Sequence, residues 1–204
     1  MKHTKRIIGI TGGVGSGKSE VLSYLKNYYN AHIILSDDIA KNITSNNLDV
    51  IRAIDREFSG VVINDRVDNN KLSQIVFNDK SKLLTLNKIV HPATIKSIIN
   101  EIKESDSNIV IVESAILIGS GLESELDEIW WIYCDRDIRI NRLMQSRGYT
   151  REKCLEIINN QMSDEEFNKN CDEYIDNSED FDKTKEQIDL ILSELEYFNQ
   201  EGEC

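Results

Sequence analysis

Ile7-Ile8-Gly9-Ile10-Thr11 runs directly into Gly12-Gly13-Val14-Gly15-Ser16-Gly17-Lys18-Ser19. A short apolar strand thus meets a glycine-rich turn, followed by a lysine and a serine that open a helix. Gly12 to Ser19 matches G-x-x-x-x-G-K-[ST], the phosphate-loop pattern, in the strand-to-helix setting that its mechanism requires. Glycines let the backbone turn tightly and aim successive N–H groups at phosphate oxygens, and the helix adds the positive end of its dipole. Gly13, Val14, Gly15, Ser16 and Gly17 are then the cradle for ATP. Lys18 reaches the β and γ phosphates, the Ser19 hydroxyl ligates Mg²⁺, and Glu20 ends the nucleotide-binding stretch.

Outward from this loop, apolar runs alternate with stretches of helical period, the pattern of an α/β fold around a parallel sheet. Ile7–Ile10, His32–Leu35, Ile109–Val112 and Ile129–Tyr133 read as strands, with Tyr174-Ile175 a weaker fifth. Their continuous apolar character suits strands covered on both faces. Val21, Leu22, Leu25 and Tyr28 share one helical face, as do Ile95, Ile98, Ile99 and Ile102, and later Ile188, Ile191, Leu192 and Leu195. All three stripes read as core, as do Trp130 and Trp131. Pro92 is expected to open its helix, and Ser163 with Glu166 reads as a capping box.

Residues 37–104 hold helical segments near 48–58, 70–77, 80–90 and 92–104 and no convincing buried strand, which makes them a helical insertion beside the sheet. The remaining core is then 1–36, 105–135 and 162–198, within one domain of 204 residues. Residues 199–204 are expected to fray.

Twenty-four Lys and Arg against 36 Asp and Glu leave a net charge of −12. Such a surface lacks the basic field that a nucleic acid or an anionic membrane demands, so phosphate must be held in a local pocket. Cys134, Cys154, Cys171 and Cys204 form no Cys-x-x-Cys pair, which suits reduced thiols in the cytoplasm. The basic start is followed by an apolar run too short for a signal peptide or a membrane span.

Asp37 and Asp38 follow the second strand at the carboxyl edge of the sheet, where open α/β folds gather ligands. Either could take a proton from an acceptor hydroxyl, and either could merely cap the next helix. Arg136, Arg139, Arg142, Arg147, Arg151 and Lys153 form a basic strip, read either as a clamp over triphosphate or as a solvated face. Glu113, at the end of a buried strand, is a candidate partner for Mg²⁺ water or a turn acid. His91 is a candidate contact for an acceptor phosphate or a structural hydrogen-bonder.

Together these pieces resemble the dephospho-coenzyme A kinase family over nearly the whole chain. The resemblance lies in Ile8–Ser19, Ser36-Asp37-Asp38-Ile39-Ala40-Lys41, His91-Pro92, Arg139–Met144, Gln161 and Cys171–Ser178. It implies a five-stranded parallel sheet of the P-loop, nucleoside-kinase-like type with a helical acceptor-side insertion and a lid at about 136–161. It also implies ATP-dependent phosphorylation of the 3′-hydroxyl of dephospho-CoA, the last step of coenzyme A synthesis. Asp37 then matches the catalytic aspartate and Arg142 the lid arginine, with Lys18 as the second charge clamp and Asn177 near the adenine. His91 joins Asp37 on the acceptor. The partners implied are small molecules, and the chain is expected to be a monomer or weak homo-oligomer.

Five positions depart from the family pattern. Glu20 stands for a Thr, Leu35 for the first acid of Asp-Ala-Asp, and Asn69 for an Arg, while Ala115 and Gly119 replace a Pro and a Glu. A nucleoside or nucleotide kinase with another acceptor, or a nucleotide-binding relative without turnover, are the competing readings.

Overall fold

The computed structural model describes residues 5–77, 79–114 and 117–201, with side chains described as far as residue 193. Ala115, Ile116, Cys204 and the Leu195 side chain lie outside that set, as does the end of the tail expected to fray.

Strand β1 (Arg6–Thr11) is the central strand. Helix α1 (Lys18–Tyr28) leads to β2 (His32–Leu35), and α2 (Ser36–Asn46), α3 (Leu48–Glu57), a hairpin β3 (Val62–Ile63) and β4 (Arg66–Val67), α4 (Asn69–Phe77) and α5 (Lys80–Glu104) follow. The chain returns through β5 (Ile109–Glu113), β6 (Glu128–Tyr133), α6 (Arg136–Arg147), α7 (Arg151–Asn159), α8 (Asp164–Asn170), β7 (Glu173–Asp176) and α9 (Phe181–Glu201). The five long strands pair in parallel in the order β2-β5-β1-β6-β7. Because β1 lies between two strands that come later in the chain, its carboxyl end opens at a crevice. The phosphate-loop pattern begins there, one residue after Thr11.

The sheet is covered on both faces, as its unbroken apolar strands require. On one face Val21, Leu22, Leu25, Ile188 and Leu192 pack against Ile8, Ile10, Ile111 and Trp130. On the other, Ile98, Ile102 and Leu122 pack against Ile34, Val110 and Val112. Each such buried Ile or Leu contributes about 1.5–3 kcal/mol relative to exposure. A separate cluster of Ile43, Val50, Ile54, Phe58, Leu72 and Val90 fills the space among α2, α3, α4 and the start of α5.

Two local expectations fail. Tyr28 is 75% exposed, and Tyr24, one turn earlier, is the buried aromatic of α1. The face of α1 is set by α9, where Asp189 accepts hydrogen bonds from the hydroxyls of Tyr24 and Tyr29, each at 2.6 Å. Pro92 does not begin a helix but lies inside α5, which runs unbroken for 25 residues. A mid-helix proline removes one backbone bond and crowds the preceding turn, at a cost of about 3 kcal/mol. The apolar face of α5 continues through it, burying Val90 before it and Thr94, Ile98 and Ile102 after it, and that burial offsets the break. The Ser163–Glu166 capping box is present in both directions.

The hairpin Val62–Val67 was not evident from the periodicity. Its two turn residues, Asn64 and Asp65, have φ of 51° and 57°, the pair of left-handed residues that a type I′ turn needs.

Candidate active site

Gly17 caps α1 in the left-handed region at φ 90° without any side-chain hydrogen bond to the helix. The first N–H groups of α1 are therefore left for a ligand. Lys18 Nζ donates to the Gly12 carbonyl at 2.8 Å and lies 3.8 Å from Glu113 Oε1. Burial holds the Lys18 ammonium below its usual range, helped by the positive charges of Arg139 and Arg147 and opposed by Glu113 and Asp37. Burial likewise pushes Glu113 up, reinforced by Asp37 and Asp38 and opposed by Lys18. For both partners desolvation outweighs their mutual attraction across 3.8 Å, the usual balance for a partly buried pair.

The loop is held from behind by groups far away in sequence. Arg139, 8% exposed, donates from Nε to the Val14 carbonyl at 3.0 Å and from Nη2 to Gln161 Oε1 at 2.7 Å. Gln161 Oε1 also accepts from the Val14 N–H at 3.0 Å. Both backbone polar groups of one loop residue, Val14, are thus engaged by two side chains that engage each other. A Cβ at Gly13 would collide with the Arg139 guanidinium.

One step further along, Asn177 is fully buried. Its Nδ2 donates to the Ser16 carbonyl at 2.8 Å, and its Oδ1 accepts from the Thr184 hydroxyl at 3.0 Å. Arg142 reaches the Ser16 carbonyl at 3.4 Å and the Asn177 carbonyl at 3.1 Å. Asn177 therefore stands beneath the loop with both ends of its amide engaged. The basic strip alone did not single out Arg139 among its neighbours, and Thr184 carried no signal at all.

In front of the loop lies a cleft of about 1010 Å³. It is bordered by Lys18, Lys26, Lys41, Arg142 and Arg147 and by the carboxylates Asp37, Asp38 and Glu113. Five cations against three acids give this wall a net charge of +2 in a chain of net charge −12. Val14, Gly15, Ser16, Gly17 and the exposed Ser19 line it, and the buried Ser16 Oγ has no hydrogen-bond partner among the described residues. An unpaired buried hydroxyl beside the open N-terminal end of α1 fits an arriving phosphate.

Asp37 and Asp38 sit in the first turn of α2 with Leu35 at the capping position, so neither caps that helix. Asp38 pairs with Lys41 at 3.0 Å, while Asp37 is exposed to the cleft. Asp37 and Lys41 also border a second cavity of about 330 Å³, reaching back to Asn87, Val90, His91 and Thr94 of α5 and to Ser114, Ser120 and Leu122. His91 belongs to that cavity, away from the loop. Glu20 is exposed on the first turn of α1 and is not among the cleft-lining residues, and neither is Asn69, exposed at the start of α4. Gly119 has φ 78° in a turn whose N–H groups at Gly119 and Gly121 are both accepted by the Glu123 carboxylate.

A cradle for phosphate, a carboxylate at its rim and a second cavity on the far side of that carboxylate make an arrangement for moving a phosphoryl group between two bound molecules. The sequence model of a family described as dephospho-CoA kinase matches residues 6–183. A dephospho-CoA kinase of Carboxydothermus hydrogenoformans is 37% identical over 196 residues, covering 94% of this chain and 95% of that protein. Among solved structures, TT1252 from Thermus thermophilus aligns with a TM-score of 0.80 at 28% identity, over 94% of this chain and 98% of the other. Dephospho-CoA kinase from Campylobacter jejuni shares the fold, with a TM-score of 0.68 at 22% identity over 96% and 100% of the two chains.

Proposed function

Because this chain belongs to the dephospho-CoA kinase family, whose reaction carries phosphate from ATP to dephospho-CoA, we propose that ATP occupies the cleft over Gly12–Ser19 and the acceptor the cavity behind Asp37. The observation that carries this division is the shared wall: Asp37 borders both spaces. A carboxylate there can take the proton of the acceptor 3′-hydroxyl as its oxygen attacks the γ-phosphorus. That O–P bond forms while the bond from the γ-phosphorus to the bridging oxygen of ADP breaks.

Lys18, from the loop, and Arg142, fixed against Ser16, offset the charge on the transferring group, which is where most of the acceleration in phosphoryl transfer lies. A polyphosphate against Lys18 also replaces the water lost on burial and so favours the charged ammonium. Arg139, Gln161 and Asn177 keep the loop in shape from behind, and His91 contacts the acceptor. Ser19, Glu113 and Asp37, which line the same cleft, are oxygen donors of the kind Mg²⁺ prefers and would hold the ion there. Bound with ATP, it would offset phosphate charge. Among the described residues Cys134, Cys154 and Cys171 are free thiols, which supports a reducing, cytoplasmic setting.

The test is direct. Incubated with ATP, Mg²⁺ and dephospho-CoA, the protein should yield equal amounts of ADP and CoA, read by chromatography. Folded protein that forms no CoA, or that releases ADP faster with a nucleoside than with dephospho-CoA, refutes the assignment.

A further inference from the structure

The basic strip does not act as one clamp, because most of its charges are already engaged. Arg136 donates to Asn159 Oδ1 at 2.7 Å, Arg151 pairs with Asp137 at 2.9 Å and Lys153 with Glu156 at 2.9 Å. Arg139 and Arg142 are held on the carbonyls of Val14, Ser16 and Asn177. Arg147 differs from all five. No hydrogen bond or ion pair holds it among the described residues, and its guanidinium carbon lies 6.0 Å from the centre of the Tyr149 ring.

Its position is equally distinct. Arg147 is the last residue of α6, exposed, and borders the same cleft as Lys18, Asp37 and Glu113. Its charge reaches the site, since it helps to hold the Lys18 ammonium down. Gly148, next in the chain, ends α6 in the left-handed region at φ 64°, with open space where a Cβ would stand. A long cation at a helix end beside such a turn can swing without disturbing packing, whereas moving Arg139 or Arg142 would strip hydrogen bonds from the loop itself.

We propose that Arg147 is the arginine that closes onto the transferring γ-phosphoryl group of ATP, a catalytic residue distinct from the loop-holding Arg139 and Arg142. The assignment rests on the kinase reading above. When the γ-phosphorus parts from the bridging oxygen, charge spreads over the equatorial and leaving oxygens, and a guanidinium delivered at that moment stabilises the transition state more than bound ATP. Arg147 itself exchanges no proton and forms no bond to phosphorus. In the ground state it rests on Tyr149, a cation–π contact weak enough at an exposed site to be given up.

The experiment uses the full chain with Arg147→Ala and Arg147→Lys, and Arg151→Ala as a surface control. Expected for Arg147→Ala is a fall in kcat of about 10²-fold or more, the scale of one preorganised donor, with the KM for ATP within about threefold and an unchanged melting temperature. The lysine variant should recover part of the rate, and the control should stay within about twofold of wild type, as expected for an exposed ion pair.

A second readout does not depend on the acceptor. Affinity for ADP with fluoroaluminate, a mimic of the transferring group, should drop in Arg147→Ala while affinity for ADP alone is kept. Arg147→Ala with wild-type kcat, or with undiminished fluoroaluminate affinity, overturns the proposal. If wild-type protein makes no CoA yet the variant loses fluoroaluminate binding, the substrate assignment falls and the role of Arg147 stands.

Discussion

Replacing Asn177 by Ala tests whether the phosphate loop is shaped by the last strand of the sheet. The change removes the donor to the Ser16 carbonyl and the acceptor for the Thr184 hydroxyl, two hydrogen bonds worth about 1 kcal/mol each net. The stranded groups are not wholly bereft. Ser16 keeps Arg142 at 3.4 Å, and Thr184 keeps the Asp176 carbonyl at 3.2 Å, so the further penalty for unpaired buried groups stays near its lower bound, about 1 kcal/mol. The sum, about 2–3 kcal/mol, corresponds to a drop in melting temperature of about 4–12 °C for a chain of this size.

Function should suffer beyond stability, because a loop displaced by about 1 Å can cost up to 10²-fold in rate. Thermal melts with and without ATP, and the KM for ATP below the melting range, make the measurement. Asn177→Asp sharpens it: the same shape now presents an acceptor to the Ser16 carbonyl, and the defect should ease at low pH, where the protonated acid can donate. A melting temperature within about 1 °C of wild type, together with an unchanged ATP KM, would refute the reasoning.

Asp37→Asn should lower kcat by about 10²–10⁴-fold with ATP affinity roughly kept, and a change in melting temperature alone would mark Asp37 as structural. Gly13→Ala should drive the Arg139 guanidinium off the Val14 carbonyl, so that its rise in ATP KM matches that of Arg139→Ala; additive losses in the double variant would contradict a shared mechanism. Glu113→Gln should stabilise the protein near neutrality. Glu113 is raised above its ordinary range, so its protonated form is favoured on folding and its contribution is fullest at low pH and fades as pH rises through the folded value. The gain of the glutamine variant should therefore shrink as pH falls into the ordinary carboxylate range, and a gain that grows on acidification would reverse the sign.

The phosphate loop could be read from the chain because its chemistry needs consecutive residues: Gly12 to Ser19 carry turn, donors and lysine within eight positions. Strands β1, β2, β5 and β6 were legible for a similar reason, since a doubly covered strand needs an unbroken apolar run. The contacts behind the loop were not, although the family resemblance points to Arg139, Gln161 and Asn177. Arg139 and Gln161 meet Val14 across more than a hundred residues, and Asn177 meets Ser16 across 161, so only folding reveals which arginine of the strip is spent. Two local rules also gave way to packing. Tyr24 and Tyr28 lie one turn apart with similar claims to burial, and contact with α9 chose Tyr24. Pro92 should have begun a helix, but apolar partners on both sides of it kept α5 whole.

That unbroken α5 works as a ruler. At 1.5 Å per residue its 25 residues span about 37 Å, with Val90 seated among α2, α3 and α4 and Ile98 and Ile102 clamped to the sheet. The wall that carries Asn87 and His91 is thereby set at a fixed stand-off from Asp37, in the first turn of α2, and Glu113, at the end of β5. A rod gripped at both ends bends little, even with one rung of its ladder missing at Pro92. The short helices α6 and α7 are joined differently: they meet at Gly148, a left-handed turn with open space around it.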